Sequence, residues 1–343
     1  MTRRAPRTDT DGAALTAEML GAVERELRGV VEDLAPEGTG QLAEMVRHHF
    51  GWDGGEPSGK RLRPLLTLLC AAGSGGDWRA ALPAAASVEL VHNFTLIHDD
   101  IEDSSETRRG RPTVWARWGV AQAINTGDFL FVAAHYACRR LLDRGLASAT
   151  AYEAQRILDD ACLRLTRGQH LDLAFEQRTR VSTLEYLEMI GGKTAALLAA
   201  ATSVGAFLGG ADEARRAAFE QFGWTLGMAF QLLDDLLGIW GEPGLTGKAA
   251  GDDLRHGKKS FPVVWGLEKS SDFAEQWTSR PRDEASVALL ERALQACGAE
   301  SATRQRAAGY TDQAMDALRR ASPRGPAAEE LEDLARRLLL RNR

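Results

Sequence analysis

Residues 90 to 115 read LVHNFTLIHDDIEDSSETRRGRPTVW: an apolar run, then Asp99, Asp100 and Asp103, then Arg108 and Arg109. If residues 88 to 103 form one helix, Asp99 and Asp103 stand four apart on one face. Like charges at that spacing repel, so something positive has to hold them together. Oxygen-only ligands of this kind suit Mg2+, which keeps several waters and bridges to substrate phosphates. The plainer reading is a solvated helix end answered by the two arginines. A second stretch, MAFQLLDDLLGIW, weighs against it, with Gln231 three residues before Asp234 and Asp235 following. An amide and a carboxylate among Met, Phe and Leu are costly to bury without partners. Two such helices can face one another across a bundle cavity and clamp metal ions.

Groups that could hold phosphate are written between and around these clusters. GGEPSGKRLRP sets Lys60, Arg61 and Arg63 in a Gly-rich loop entering a helix, where backbone N–H groups and guanidiniums can cradle an anion. GGKTAALL places Lys193 and Thr194 at another Gly-led helical stretch, and TGKAAGDDLRHGKKSFP adds Lys248, Lys258 and Lys259. With two metal-type acid clusters, these favour a diphosphate held by Mg2+. No G-x-x-x-x-G-K-[ST] occurs, so this is not a P-loop nucleotide site. His98 reads as a helix residue beside the site. His48 and His49 have no acids at metal spacing.

Helices must position all of this. Apolar residues recur at three- and four-residue spacing over 15–35, 80–103, 120–143, 150–172, 184–208, 213–240, 284–297, 302–321 and 327–341. No segment alternates with period two, and no Asn-Gly turn joins β-branched runs. The expected fold is all-α. WDGGEPSGK, AGSGGDW, RRGRP, GEPGLTGKAAGDD and SPRGP break the pattern without forming a long linker. Residues 1–12 are expected to be a disordered lead-in and 13–343 a single domain of ten or more helices.

Composition excludes several classes. With 343 residues, 44% hydrophobic and net charge −6, the chain has the makings of a large core and lacks the basic excess of a nucleic-acid binder. Its four cysteines are far apart, without zinc spacing or a disulfide framework. The N-terminal stretch lacks the apolar run of a signal peptide. The most apolar run, 195–211, is short for a membrane span and made of small residues. The reading is a soluble cytoplasmic protein.

The order Gly-Lys-x-x-Arg-Pro, Asp-Asp-x-x-Asp with Arg-Arg-Gly-x-Pro, Gly-Lys-Thr, Gln-x-x-Asp-Asp and two lysines resembles the trans-isoprenyl diphosphate synthases, the polyprenyl synthetases of farnesyl and geranylgeranyl type. The matching segments run from about residue 57 to 262. The resemblance implies the isoprenoid synthase type I fold, a helical bundle around a central cavity. It implies condensation of isopentenyl diphosphate with an allylic diphosphate, in a homodimer, with three Mg2+ ions. Asp99 and Asp103, with Asp100 beside them, match the first set of metal ligands. Asp234, supported by Asp235, matches the second. Arg108, Lys193, Lys248 and Lys258 match the grip on the allylic diphosphate. Gly59, Lys60, Arg63, His92 and Arg109 match the isopentenyl diphosphate pocket, and Thr194 and Gln231 lie near the allylic carbon. One departure stands out: the second motif ends in Gly238 where the family usually has aspartate, implying weaker support around the metal with activity retained.

Phe94 and Thr95, the fifth and fourth residues before Asp99, match the floor of the product pocket. Phe94 there resembles synthases making geranylgeranyl diphosphate, with farnesyl diphosphate as the neighbouring possibility; Phe94 as plain core is the other reading. Two further functions share the fold. A class I terpene cyclase would carry an Asn-Asp-type second motif, absent here, and has no need of the isopentenyl pocket. A non-catalytic subunit of a heteromeric synthase would tend to lose its aspartates.

Overall fold

The computed structural model describes residues 10–38, 40–54, 59–241, 251–279, 281 and 283–339. Among them helices dominate, and the sheet is a two-stranded ribbon, β1 (Thr107–Arg108) with β2 (Arg111–Pro112). The all-α expectation of ten or more helices holds. The chain forms two compact units. The first draws on residues up to 159, on 200–217 and on 322–331; the second draws on 160–199, 218–321 and residues from 332 onward.

In the first unit, α1 (Thr10–Leu34), α3 (Leu62–Ser74) and α6 (Val120–Arg139) pack on α4 (Leu82–Glu102), with α2 (Gln41–Phe50) and α5 (Val114–Trp118) at α6. Small residues explain the centre: Ala84, Ala85 and Ala86 let α4 lie close to its neighbours, and Ser87 donates to Ala134 O at 2.6 Å. Leu90, fully buried on α4, sits in this layer. Truncating it to Ala is expected to cost about 2–5 kcal/mol. α4 carries Asp99 on its last full turn and ends at Asp103, whose N–H donates to Asp99 O at 2.8 Å. The four-residue spacing of the two acids is therefore that of a helix.

The helices α7 (Ser148–Gln177), α9 (Ala196–Leu208) and α10 (Glu213–Trp240) supply residues to both units. The second unit also holds α8 (Thr183–Ile190), α11 (Asp252–Arg255), α12 (Phe261–Lys269), α13 (Ser271–Ser279), α14 (Glu284–Ala296) and α15 (Ala299–Ala321). The C-terminal α16 (Pro326–Leu339) is again shared. Ser182 and Glu185 form a reciprocal capping box that fixes where α8 begins. α8 then passes into a π turn, Gly191–Ala195, before α9. Two apolar clusters fill the unit. One gathers Tyr186, Met189, Ile190, Met228, Leu232 and Phe261; the other gathers Ile239, Leu254, Val263, Phe273, Leu290 and Leu294.

The long periodic stretches appear as helices close to their expected bounds, while α2, α3, α5, α11, α12 and α13 are additional. The first helix already begins at Thr10; residues 1–9 of the expected lead-in lie outside the described residues, as does Lys248. All four cysteines are free thiols. Two helical stretches, Trp78–Glu102 and Thr183–Leu208, have the length and hydropathy to cross a membrane, yet 72% and 83% of their most apolar windows are buried inside the structure.

Candidate active site

In the first unit the ribbon after α4 sets the two arginines. Arg108 pairs with Arg111, so Arg109 and Gly110 form the two-residue loop, with φ of 53° and 75°. Positive φ at both positions is the hairpin turn that follows strand twist, and glycine suits the second position. The tight reversal sends the two guanidiniums to different partners. Arg108 Nε donates to Asp100 Oδ1 at 2.8 Å, while Arg109 lies over Gly59, where a Cβ would stand 2.6 Å from its guanidinium nitrogen. Asp100 is 2% exposed; burial pushes its carboxyl up to about 6, against the pull of Arg108. Asp99 is half-buried and Asp103 is exposed.

The ribbon is anchored from α2. His48 Nε2 donates to Pro112 O at 2.9 Å, and the Arg111 guanidinium bridges His48 Nδ1 and the Asp53 carboxylate. Next to it, His49 Nε2 donates to Asn93 Oδ1 at 3.0 Å, and Asn93 donates in turn to Glu89. His49, Asp100, Arg108 and Arg109 line one cleft. Burial, then Arg108 and Arg109, lower the His49 imidazole to about 3, so it is neutral.

Where α3 begins, Arg63 donates to His92 Nε2 at 3.1 Å. His92 can accept because burial and the neighbouring arginines hold its pKa well below the usual histidine range. Arg63 Nε is buried without a hydrogen-bond partner. Arg61 plays a different part. Its guanidinium pairs with Glu89 at 3.1 Å and Glu24 at 3.3 Å. It is a buried structural cation, not a group left open for phosphate.

In the second unit, hydrogen bonds tie the π turn to α10. Thr194 Oγ1 donates to Gln231 Oε1 at 2.9 Å, and Gln231 Nε2 donates to Asp235 Oδ1 at 3.1 Å. Asp235 Oδ2 also accepts from the Tyr186 hydroxyl at 2.5 Å and the Phe261 N–H at 3.0 Å. Asp235 is 1% exposed, and burial lifts it to about 7 even though Lys258 opposes the shift. Asp234, beside it in sequence, is exposed. Lys193 Nζ lies 2.6 Å from Asp172 Oδ2. π turns collect at functional positions because they re-aim a side chain within a helix.

The description "Polyprenyl synthetase" belongs to the family model that matches residues 42–297. The chain belongs to the polyprenyl synthetase family. Among its relatives in that family, the (2E,6E)-farnesyl diphosphate synthase of Mycobacterium tuberculosis H37Rv is 39% identical, over 96% of this chain and 95% of that protein. The geranylgeranyl diphosphate synthase of the same strain is 46% identical, over 68% of each chain. A solved geranylgeranyl pyrophosphate synthase from Corynebacterium glutamicum, complexed with isoprenyl diphosphate and magnesium, superposes with a TM-score of 0.81. It is 28% identical, with 94% of this chain and 98% of that one covered.

Within this polyprenyl synthetase fold, the first unit gathers Gly59 with Arg109, Arg63 with His92, and Asp100 with Arg108. The second gathers Thr194, Gln231 and Asp235 in one chain of hydrogen bonds. Lys259 is elsewhere: its Nζ caps the end of α7 on Phe175 O and Glu176 O at 2.8 and 3.0 Å. Glu89, Asn93, Asp172, Tyr186 and Asp253 are partners that sequence reasoning did not single out. Their signal was weak, since nothing in their local sequence tells which helix each will meet.

Proposed function

We propose that this chain, a trans-prenyltransferase of the polyprenyl synthetase family, joins isopentenyl diphosphate head-to-tail to dimethylallyl, geranyl or farnesyl diphosphate. The product is a short-chain all-trans diphosphate, geranylgeranyl or farnesyl. The observation that carries this reading is the shared plan of the two aspartate pairs. In each, one residue keeps access to solvent (Asp99 half-buried, Asp234 exposed) and the next (Asp100, Asp235) is hydrogen-bonded inward.

The donors suit Mg2+. Among the described residues no three His, Cys, Asp or Glu side chains already converge on one point. Mg2+ needs no such cage, because it binds through one or two carboxylates and shares the rest of its shell with substrate phosphate and water. Asp99, Asp103 and Asp234 would hold three ions, with Asp100 and Asp235 behind them. When bound, the metal neutralises charge on the leaving diphosphate. The buried, unpartnered Nε of Arg63 supports an anion at the isopentenyl pocket, since such a donor is costly to leave unsatisfied.

In the reaction the allylic C–O bond breaks and its electron pair leaves with the diphosphate, gripped by Arg108, Lys193, Lys248 and Lys258. Asp100 fixes Arg108 for that role. Thr194 and Asp235 hold the Gln231 amide from both ends, so its carbonyl and the Lys193–Thr194 backbone present fixed dipoles to the allylic cation. Gly59, Lys60, Arg63, His92 and Arg109 hold isopentenyl diphosphate, whose double bond attacks. A proton then leaves to the released diphosphate and the new double bond forms.

Phe94, with Thr95 one position nearer Asp99, is the floor in this reading; its ring meets Phe131 edge-on at 5.0 Å. Phe94→Ala should lengthen the product, and an unchanged product would remove Phe94 from that role. The protein would act in the cytoplasm as a homodimer. Val120, Ile124 and Val132 on α6 leave apolar surface that a second copy could cover.

The test is incubation of the purified protein with Mg2+, labelled isopentenyl diphosphate and each starter in turn, with product lengths read by chromatography. No consumption with any starter sinks the reading. Hydrocarbon formed without isopentenyl diphosphate would favour a terpene cyclase, and activity only with an added second chain would favour a non-catalytic subunit.

A further inference from the structure

Gly238 lies one turn after Asp234 on α10, on the same face of the helix. A Cβ at that position would stand 2.6 Å from Asp253 Cγ and 2.8 Å from Asp253 Oδ1. Both distances are far inside van der Waals contact, so the Asp253 carboxylate rests on the bare Cα of α10. The Asp253 backbone is held in place. The Gly251 N–H donates to Ile239 O at 3.0 Å, the Lys258 N–H donates to Asp253 O at 2.8 Å, and Leu254 is fully buried in the apolar cluster with Ile239. Asp253 itself is 7% exposed. An aspartate has only one carbon between its Cα and its carboxylate, so with the backbone held the charge can move only among a few χ1 rotamers.

That charge acts on Lys258. Burial alone would lower the pKa of this lysine, yet it is raised: Asp253 acts first among the opposing charges, ahead of Asp235, Asp172 and Asp234. The backbone bond from Lys258 to Asp253 closes the same short loop that carries both side chains.

We propose that Asp253 is the positioning residue for Lys258, and that position 238 is glycine so that Asp253 can occupy the face of α10. The glycine found where the family usually has aspartate is then part of a working arrangement. A side chain at 238 would displace Asp253 and release Lys258 from its place. The proposal rests on the reading that Lys258 grips the allylic diphosphate.

The experiment uses full-length Asp253→Asn, Gly238→Ala, the double variant and Lys258→Ala. Three quantities are read: KM for geranyl diphosphate, KM for isopentenyl diphosphate, and the rise in melting temperature caused by inorganic pyrophosphate with Mg2+. Asp253→Asn and Gly238→Ala should each raise the allylic KM about tenfold, the loss of roughly one charge-assisted contact. The isopentenyl KM should stay unchanged, and the pyrophosphate-induced rise should shrink in both variants. The double variant should match the singles, because both act through one carboxylate. A parallel rise in both KM values, or additive single effects, overturns the proposal. If Lys258→Ala raises the allylic KM while Asp253→Asn and Gly238→Ala do not, Asp253 has no positioning role and the diphosphate reading stands. If Lys258→Ala also leaves the allylic KM unchanged, the diphosphate role of Lys258 falls as well.

Discussion

The two aspartate pairs look alike in sequence but are held by different forces. Asp100 answers to a cation, Arg108, only eight residues further along the chain. In the same unit Arg61, Arg63 and Arg109 share Glu89 as a buried counter-charge, which bonds Arg61 and offsets the burial of the other two. Asp235 accepts its hydrogen bonds from neutral donors, Gln231, Tyr186 and Phe261, two of them 49 and 26 positions away, while the Lys258 charge also acts on it. The first pair is thus set by a hairpin and by charge, the second by hydrogen bonds within a core. Charge held near the surface can be re-solvated when a partner is lost, whereas a core donor left alone cannot.

The sharpest way to break this comparison is to separate the outward from the inward aspartates. Asp99→Asn and Asp234→Asn should each lower kcat by about 100- to 1,000-fold, the scale of losing one charge-stabilising group in an active site. Their melting temperatures should barely move. If Asp100→Asn or Asp235→Asn reduces kcat as far at unchanged stability, the outward–inward distinction is wrong.

Stability then separates the inward pair. Asp235→Asn disturbs three buried hydrogen bonds and should cost about 1–3 kcal/mol in urea unfolding. Asp100→Asn should cost less than about 1 kcal/mol, because Arg108 is 29% exposed and can turn to water. Equal losses would mean that both pairs are held in the same way.

A separate effect concerns pH. His49 titrates at about 3 in the fold against 6.5 in the unfolded chain, so the unfolded state takes up the proton first on acidification. Stability therefore falls as pH drops from 6.5 toward 3, by at most ~1.4 kcal/mol per pH unit from this one group. His49→Gln keeps a donor for Asn93 and should flatten the decline between pH 7 and 5. An unchanged slope in unfolding midpoints would remove His49 from the charge balance of the first region.

This contrast also explains what was legible in the sequence. The Asp99–Asp103 spacing and the adjacent arginines lie within one helix and its hairpin, so helical geometry brings them together. Gln231 and Asp234 were visible for the same reason. Tyr186, Asp172 and Glu89 were not, because their roles depend on which helices pack together. Lys259 shows the opposite failure: the Gly-Lys-Lys spelling drew attention to it, but its position relative to α7 makes it a helix cap. Arg61 was grouped with phosphate ligands by its loop, and only the buried Glu24 and Glu89 beside it reveal an internal ion pair.

The ion pair between Lys193 and Asp172 has a consequence for turnover. An incoming anion that recruits Lys193 must draw it from a carboxylate 2.6 Å away. Asp172 would then be a built-in rival for the lysine, and the apparent affinity of such a ligand would be reduced by the fraction of time the lysine is engaged. A weakly charged ligand gains little from that exchange, whereas a diphosphate can win it. If Lys193 grips the diphosphate as proposed, the same carboxylate is there to retake the lysine when the product leaves, so the pair would discriminate on entry and ease departure.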